Sequence, residues 1–219
     1  MSYNHGLLLI LSGCSGTGKN TVLKELLKTR PELSYSISAT TRAPRPGEID
    51  GRDYFFLSVG DFLAAESAEE FLETARVFDH FYGTPKRFIE GMSALNRDVI
   101  LDIDIAGALN VRRKKPEAVL IFLLPPSLEV LQHRLIGRGT DAAAEIKKRL
   151  AQVDVELAAL KQYDYVVVNR SIEEASGLIN CILVAETCLV RRQNISELIE
   201  SLRKKGEEGQ EPHDLSTTR

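Results

Sequence analysis

Residues 13–21 read Gly13-Cys14-Ser15-Gly16-Thr17-Gly18-Lys19-Asn20-Thr21, and this stretch decides the fold. An uninterrupted apolar run, residues 7–11, precedes it and is typical of a parallel strand buried on both faces. A helical pattern follows, because apolar residues recur at helical spacing between residues 22 and 27 and Pro31 lies beyond them. A glycine-rich loop between a strand and a helix is the context of a Walker A phosphate loop, so the sequence predicts a P-loop.

The chemistry of such a loop explains its residue types. Glycines let the backbone wrap so that N–H groups point at phosphate oxygens, and the helix N-terminus adds partial positive charge. Lys19 is long enough to reach the β- and γ-phosphates of ATP. The pattern places Ser or Thr after the lysine, whereas this chain has Asn20. Either Thr21 supplies the hydroxyl for Mg²⁺, or water and phosphate hold the metal alone. The alternative, a glycine-rich turn without a ligand, is disfavoured because strand, loop and helix all fit.

Cys14 lies inside this loop, among backbone N–H groups and close in sequence to Lys19. Such surroundings favour a thiolate, so one expectation is a thiol more reactive than those of Cys181 and Cys188 and shielded by ATP. The equally weighted alternative is an inert small residue that fills the turn.

Outward from the loop, the pattern predicts an α/β fold with a parallel sheet. Further buried-strand patterns lie at residues 99–103, 119–124 and 165–168, with helical patterns between them. Short strand-like stretches at 35–38 and 54–57 flank a turn-rich segment, and residues 62–82 show no single periodicity. Helices are expected at about 86–95, at 143–161, and from 172 towards 202 with a break near Arg191. Beyond residue 203 the chain is charged and polar, so residues 204–219 are expected to be a disordered tail.

The composition limits the class of function. The chain has 219 residues, 43% hydrophobic and 27% charged, which suits one α/β core with inserted subdomains. A net charge of −3 gives no reason to expect a nucleic-acid polymer as partner. No run approaches the roughly 18 apolar residues of a membrane span, and residues 7–11 lack the flanks of a signal peptide. Three scattered cysteines indicate reduced thiols, so we expect a cytoplasmic protein without a membrane partner; its oligomeric state is left open.

The most specific motif lies between the first two strand patterns. Residues 40–56 read Thr40-Thr41-Arg42-Ala43-Pro44-Arg45-Pro46-Gly47-Glu48-Ile49-Asp50-Gly51-Arg52-Asp53-Tyr54-Phe55-Phe56. Two arginines three residues apart can grip one phosphate, since guanidinium groups match phosphate geometry, and Tyr54 adds a hydroxyl donor. A solvated basic loop is the alternative interpretation of the arginine pair.

With this motif the chain closely resembles the guanylate kinases. Their signature has Thr, then Ser or Thr, then Arg, a basic residue three later, an acidic residue three after that, Gly three further on, and Tyr-x-aromatic. Every one of these positions is satisfied. The resemblance continues to about residue 190 through Tyr82-Gly83, Leu101-Asp102-Ile103-Asp104, Pro125-Pro126-Ser127, residues 134–140, Arg149-Leu150 and Val167-Val168-Asn169.

The resemblance implies transfer of the γ-phosphate of Mg²⁺·ATP to GMP, giving ADP and GDP, by in-line phosphoryl transfer in purine nucleotide recycling. The acceptor is GMP, with dGMP left open. In the family, residues matching Arg42, Arg45, Tyr54 and Tyr82 bind the GMP phosphate, and those matching Ser38, Glu73, Thr84 and Asp104 surround guanine. Several members have Ser where this chain has Thr84, a change that keeps the hydroxyl.

The implied architecture has a P-loop core with two inserts. The core comprises residues 1–36, 98–137 and 157–203. A GMP-binding insert of mixed strands occupies residues 37–97, and a short helical lid occupies residues 138–156.

Two carboxylates end the strand pattern at residues 99–103. Asp102 and Asp104 alternate onto one face, and a carboxylate at a strand end beside a P-loop commonly holds Mg²⁺ indirectly. Because the resemblance places Asp104 near guanine, Asp102 is the candidate for the metal side. Capping of the helix that starts near Ala106 is the alternative role, above all for Asp104.

Cationic residues are expected around the transferring phosphate, since phosphoryl transfer spreads negative charge over it. Arg134, Arg138 and Arg149 match lid positions of the family, although each taken alone would be assigned to the solvated surface. Asn169 follows a strand and is expected either to contact adenine or to form a strand-end turn.

Two other classes of protein share part of this pattern. Asp104-Ile105-Ala106-Gly107 fits the D-x-x-G pattern of GTPase switches, but the N-K-x-D motif that reads guanine in GTPases is absent. A non-catalytic scaffold domain of the same fold is disfavoured because Lys19 and the loop glycines are all present.

Overall fold

The computed structural model of the chain describes residues 6–77, 79–137 and 153–208. Its strands are β1 Leu8–Ser12, β2 Ser34–Tyr35, β3 Ala39–Thr40, β4 Phe55–Phe56, β5 Phe71–Val77, β6 His80–Pro85, β7 Val99–Asp102, β8 Val119–Leu124 and β9 Tyr165–Val168. Its α-helices are α1 Lys19–Thr29, α2 Val59–Ser67, α3 Lys86–Ala94, α4 Ile105–Lys114, α5 Leu128–Gly137, α6 Ile172–Thr187 and α7 Ile195–Glu208. Residues 153–158 are helical and lead into the 3₁₀ turn Ala159–Gln162, and a second such turn spans Val190–Arg192.

The larger sheet has five strands in the order β2-β7-β1-β8-β9, and every pairing is parallel. Its central strand β1 buries Leu9, Ile10 and Leu11 completely. One apolar cluster joins β1 to α1 and α6, and a second joins it to α3 and α4. Helices therefore cover both faces, which explains why the strand sequences are continuously apolar instead of alternating. The predicted parallel α/β core is confirmed.

A smaller mixed sheet in the order β4-β3-β6-β5 is inserted between β2 and β7. Strand β3 runs parallel to β4, whereas β6 runs antiparallel to both β3 and β5. Helix α2 packs against it, and Ser58 caps this helix by accepting a hydrogen bond from the Asp61 N–H. The rings of Phe62 and Phe71 stack at 4.7 Å between helix and sheet. A second sheet of mixed strands was expected here; helix α2 was not.

The C-terminal helical region was predicted correctly in its break but not in its end. The break near Arg191 occurs as predicted, between α6 and α7. Helix α7 then continues to Glu208, so residues 204–208, expected to be disordered, are helical. Residues 138–152 of the expected lid, including Arg138 and Arg149, lie outside the described residues, as do residues 209–219. Among the described residues, no helix combines the length and apolar character needed to span a membrane.

Candidate active site

The P-loop connects the end of β1 to the start of α1. Gly13, Gly16 and Gly18 all have positive φ angles, the region that glycine tolerates best. At Gly13 a side chain is also excluded by space, because a Cβ atom would stand 2.3 Å from the Leu123 carbonyl oxygen of β8. The tight approach of the loop to strand β8 therefore depends on this glycine.

Lys19 folds back over the loop. Its Nζ donates a hydrogen bond to the Gly13 carbonyl oxygen at 3.0 Å, so the ammonium group lies across the loop opening. A phosphate entering the loop would meet both this charge and the first N–H groups of α1.

The carbonyl of Thr17 fixes the loop to two other elements. It accepts from Asn169 Nδ2 at 2.7 Å, after β9, and from Arg134 Nη1 at 3.0 Å, on α5. Arg134 Nη2 also donates to the Asn169 carbonyl at 3.3 Å. In this structure Asn169 and Arg134 therefore contact the loop and each other. Asn169 is buried, and its Oδ1 has no hydrogen-bond partner among the described residues.

Cys14 is fully buried in the loop. Burial, with a further contribution from the neighbouring Glu156, raises the pKa of the thiol to about 12, and the charge of Lys19 offsets this only in part. The expectation of a reactive thiolate at Cys14 was wrong, since burial removes both the charge and the access that reactivity needs. The alternative, a small residue that fills the turn, fits this burial.

In the small sheet, Arg42 is held in place by the loop that follows β3. Its Nη2 forms an ion pair with Glu48 Oε1 at 2.9 Å, and its Nη1 donates to the Ala43 carbonyl. The other Glu48 oxygen accepts from the Arg45 N–H at 2.7 Å. The Arg42 guanidinium also lies 5.4 Å from the ring centre of Tyr54. Glu48, which sequence reasoning counted only as part of the signature, orders both arginine positions.

Glu73 is an acidic residue of the small sheet whose side chain is buried. Its Oε1 accepts from the Thr84 hydroxyl at 2.7 Å, and its Oε2 has no partner among the described residues. Burial raises the pKa of this carboxyl to about 7; the Thr84 bond and Lys114 oppose the shift and Asp104 adds to it. Thr84 is itself fully buried, so its hydroxyl serves the carboxylate in this structure. An unpaired buried carboxyl oxygen is costly unless a ligand completes its hydrogen bonds.

Asp102 is the last residue of β7, and Asp104 lies two residues beyond it, immediately before α4; both line the same cavity. Burial raises the pKa of each carboxyl above its usual value, and the charge of Lys19 offsets this only in part. Asp104 caps α4, because its Oδ1 accepts from the Gly107 N–H at 2.6 Å. The D-x-x-G pattern is therefore explained by a helix cap, the role weighed as an alternative for this residue.

One cavity of about 1010 Å³ joins these groups. From the P-loop it is lined by Gly13, Ser15, Gly16, Gly18, Lys19 and Asn20; from the small sheet by Ser38, Arg42, Arg45, Tyr54, Glu73 and Tyr82; and from the end of β7 by Asp102 and Asp104. Cys14, Thr17, Thr21, Thr84, Arg134 and Asn169 are not part of this lining. Asn20 thus faces the cavity, whereas Thr21 occupies the next, differently oriented helical position.

The comparisons with known proteins agree with this geometry. The sequence model of a family described as Guanylate kinase matches residues 5–186. The guanylate kinase of Caldanaerobacter subterraneus subsp. tengcongensis is 48% identical over 187 residues, which cover 85% of this chain and 91% of that protein. The guanylate kinase of Desulfitobacterium hafniense is 46% identical over 193 residues, which cover 88% of this chain and 96% of that protein.

A solved structure resembles the whole arrangement. The crystal structure of guanylate kinase from Anaplasma phagocytophilum superposes with a TM-score of 0.78 at 36% sequence identity. The match covers 92% of this chain and 97% of that one.

Proposed function

The chain belongs to the guanylate kinase family and is an ATP:GMP phosphotransferase, and we propose that the cavity between the P-loop and the small sheet holds both of its substrates. ATP binds on the P-loop side and GMP on the side of the small sheet. The observation that carries this assignment is that Lys19 and Arg42, from opposite sides, line the same cavity. Two phosphate-binding cations around one space suit transfer of a phosphoryl group between two nucleotides.

The P-loop side positions the triphosphate. Backbone N–H groups at the start of α1 donate to phosphate oxygens, and Lys19 exchanges its bond to the Gly13 carbonyl for the phosphates. The Thr17 carbonyl keeps the loop in shape by accepting hydrogen bonds from Asn169 and Arg134. Arg134, together with Arg138 and Arg149 from the segment outside the described residues, is proposed to neutralise charge on the transferring group.

The opposite side binds the GMP phosphate. Arg42, Arg45, Tyr54 and Tyr82 line this part of the cavity, and the rings of the two tyrosines lie 6.2 Å apart. Because Glu48 restrains Arg42, little side-chain freedom remains to be lost when the phosphate arrives. In-line transfer then needs little beyond two positioned phosphates and the charge around them.

The guanine base is proposed to lie against Glu73 and Asp104. Guanine offers the donors N1–H and N2–H₂, and ionised carboxylates can only accept. Glu73 Oε2 is buried and unpaired among the described residues, so it is an open acceptor for a donor of the base. Ser38 lines the same space and can donate to O6, whereas Thr84 contributes through its bond to Glu73.

The residues present also fit Mg²⁺ delivered with ATP. Within the described ranges no three His, Cys, Asp or Glu side chains are grouped so as to hold a metal ion. Asp102 is one of the carboxylates that line the cavity, and the charge of Lys19 acts on it. Mg²⁺ typically binds to substrate phosphates, waters and one or two carboxylates, so Asp102 is proposed to hold it through water. Thr21 remains the second sequence-based candidate. The ion would supply charge neutralisation between the β- and γ-phosphates.

The proposed substrates are the free nucleotides GMP and ATP, and the use of dGMP as an acceptor is left open. The proposed place of action is the cytoplasm, where three scattered cysteines would stay reduced.

The test separates base recognition from phosphate binding. We compare kcat/KM for GMP and AMP in the wild type, Glu73→Gln and Arg42→Ala. The wild type should prefer GMP by about three decades or more, because a site built for hydrogen bonds strongly rejects a partner that cannot make them. Glu73→Gln should lose much of this preference, and Arg42→Ala should reduce both activities alike. A ratio untouched by Glu73→Gln but collapsed by Arg42→Ala would show that the two roles are misassigned.

A further inference from the structure

Helix α4 holds strand β5 on both sides of Glu73. Lys114 Nζ donates to the Leu72 carbonyl at 2.6 Å, and Asn110 Nδ2 donates to the Thr74 carbonyl at 3.2 Å. The two donors lie four residues apart, one helical turn, so they face the strand together. The residue between the two bound carbonyls is Glu73.

Strand β5 needs such support because it forms one edge of the small sheet. Its pairing with β6 also shifts register between Phe71 and Glu73. Leu72, the residue at this irregularity, is 5% exposed and packs into the apolar cluster that includes Val111 of α4. Backbone and side chain at Leu72 are thus both tied to the core, so the base-reading strand is fastened to α4 immediately next to Glu73.

The same helix carries the second base-reading acid at its start. Asp104 caps α4 through the Gly107 N–H, so its carboxylate moves with the helix. A helix that fixes Asp104 at one end and grips the backbone around Glu73 further along determines the spacing between the two carboxylates.

We propose that Asn110 and Lys114 are positioning residues that set Glu73 relative to Asp104 and so determine how well the enzyme selects guanine over hypoxanthine. The inference rests on the proposed role of Glu73 in reading the base. Hypoxanthine lacks the N2 amino group but keeps N1–H and O6, so discrimination between GMP and IMP depends on an acceptor held where that amino group lies. A displacement of about 1 Å at such a site can cost up to about a hundredfold in rate, even when its cause is remote.

The experiment measures KM and kcat for GMP, IMP and ATP in Lys114→Met, in Asn110→Ala and in the double variant. The double variant should raise the KM for GMP about tenfold and lower the GMP-to-IMP ratio of kcat/KM by a similar factor. Its KM for ATP should stay unchanged, because the P-loop does not depend on β5. Lys114→Arg keeps a hydrogen-bond donor and should retain most of the wild-type GMP-to-IMP ratio of kcat/KM. Lys115→Met is the matched control: the neighbouring exposed lysine lies just past the end of α4, and its loss should change nothing.

A structural role alone would lower the melting temperature without altering the GMP-to-IMP ratio, and that result would overturn the proposal. Glu73→Gln, measured alongside, separates the positioning role of Asn110 and Lys114 from the base-reading role of Glu73. If Glu73→Gln collapses the ratio while Lys114→Met and the double variant keep it, only the positioning role fails. If Glu73→Gln itself leaves the ratio intact, the assignment of the base site fails as well.

Discussion

Gly107 of α4 lies directly against the carboxylate of Glu73: a Cβ atom at this position would stand 2.8 Å from Glu73 Oε2. The same atom would lie 3.1 Å from Asp104 Oδ1. Both acids assigned to guanine recognition therefore approach the helix where it has no side chain. The approach explains why a glycine occupies a position of α4 at which alanine would favour the helix by about 1 kcal/mol.

Gly107→Ala should therefore impair recognition of GMP more than stability. The Glu73 carboxylate must move away from the new methyl group, and we expect the KM for GMP to rise about tenfold. The melting temperature should change little, because the helical preference of alanine offsets the local crowding. Gly91→Ala in α3 is the control, since a Cβ there meets no atom within 4 Å. An unchanged KM for GMP in Gly107→Ala would contradict the placement of the base.

Activity should depend on the ionisation of Glu73. Because burial raises the pKa of this carboxyl to about 7, it is largely protonated in the free enzyme below that pH and cannot accept from both guanine donors. We expect kcat/KM for GMP to rise with pH, by up to about tenfold per unit, and to level off above about pH 7. In Glu73→Gln this step should be missing. A wild-type profile that is flat between pH 5.5 and 8 would argue against a titrating Glu73.

Stability should show the opposite dependence. The carboxyl has a reference pKa of 4.5 and a folded-state pKa of about 7, so between these values the folded protein binds more protons than the unfolded chain. The free energy of unfolding therefore falls as the pH rises through this window, by up to about 3 kcal/mol from this group. Denaturant titrations of the wild type and Glu73→Gln at pH 5 and pH 8 provide the measurement. Relative to the wild type, the free energy of unfolding of Glu73→Gln should be higher at pH 8 than at pH 5. An equal difference at the two pH values would contradict the raised pKa of Glu73.

Lys19→Met should remove most of the turnover while leaving the fold intact. Loss of one charge that contacts the transferring phosphate is expected to lower kcat at least about a hundredfold. Lys28→Met, on the same helix but highly exposed and paired with Glu25, is the control and should retain normal activity. Turnover by folded Lys19→Met close to that of Lys28→Met would be incompatible with the assigned ATP site.

Alkylation should discriminate among the three cysteines. Cys181 and Cys188 are exposed on α6 and at its end, whereas Cys14 is buried with its thiol pKa raised to about 12. Mass-mapped labelling of the native protein near neutral pH should modify Cys181 and Cys188 and spare Cys14, with or without ATP. Rapid labelling of Cys14 that ATP suppresses would restore the reactive-thiolate hypothesis.

The sequence predicted the core well because its signals are local. The apolar runs at residues 119–124 and 165–168 coincide with β8 and β9, and the glycine pattern located the P-loop between β1 and α1. The small sheet was predicted less completely. Residues 71–77 do not alternate cleanly, because the register shift beside Glu73 sends Leu72 into the core. Helix α2 carries Gly60 in its first turn, which weakens the pattern, although Ser58 and Asp61 give a capping signal that could have located it.

The site residues show the same division. Lys19, Arg42 and Glu73 line the cavity as the motifs suggest, but the contacts of Asn169 cross 152 positions of the chain. No spacing rule connects it to Thr17. Likewise, Asn110 and Lys114 have the ordinary appearance of a polar helix face, and only the tertiary fold brings them to β5.

The double anchoring of the Thr17 carbonyl by Asn169 and Arg134 has a thermodynamic consequence. Fixing the backbone of one residue costs about 1–2 kcal/mol in conformational entropy. If a loop of this length became ordered only on binding, that cost would offset much of the binding free energy of a nucleotide. Here that entropy is lost during folding, before ATP arrives. Substitution of Asn169 should accordingly make ATP binding entropically less favourable in calorimetry, although this side chain need never touch the ligand.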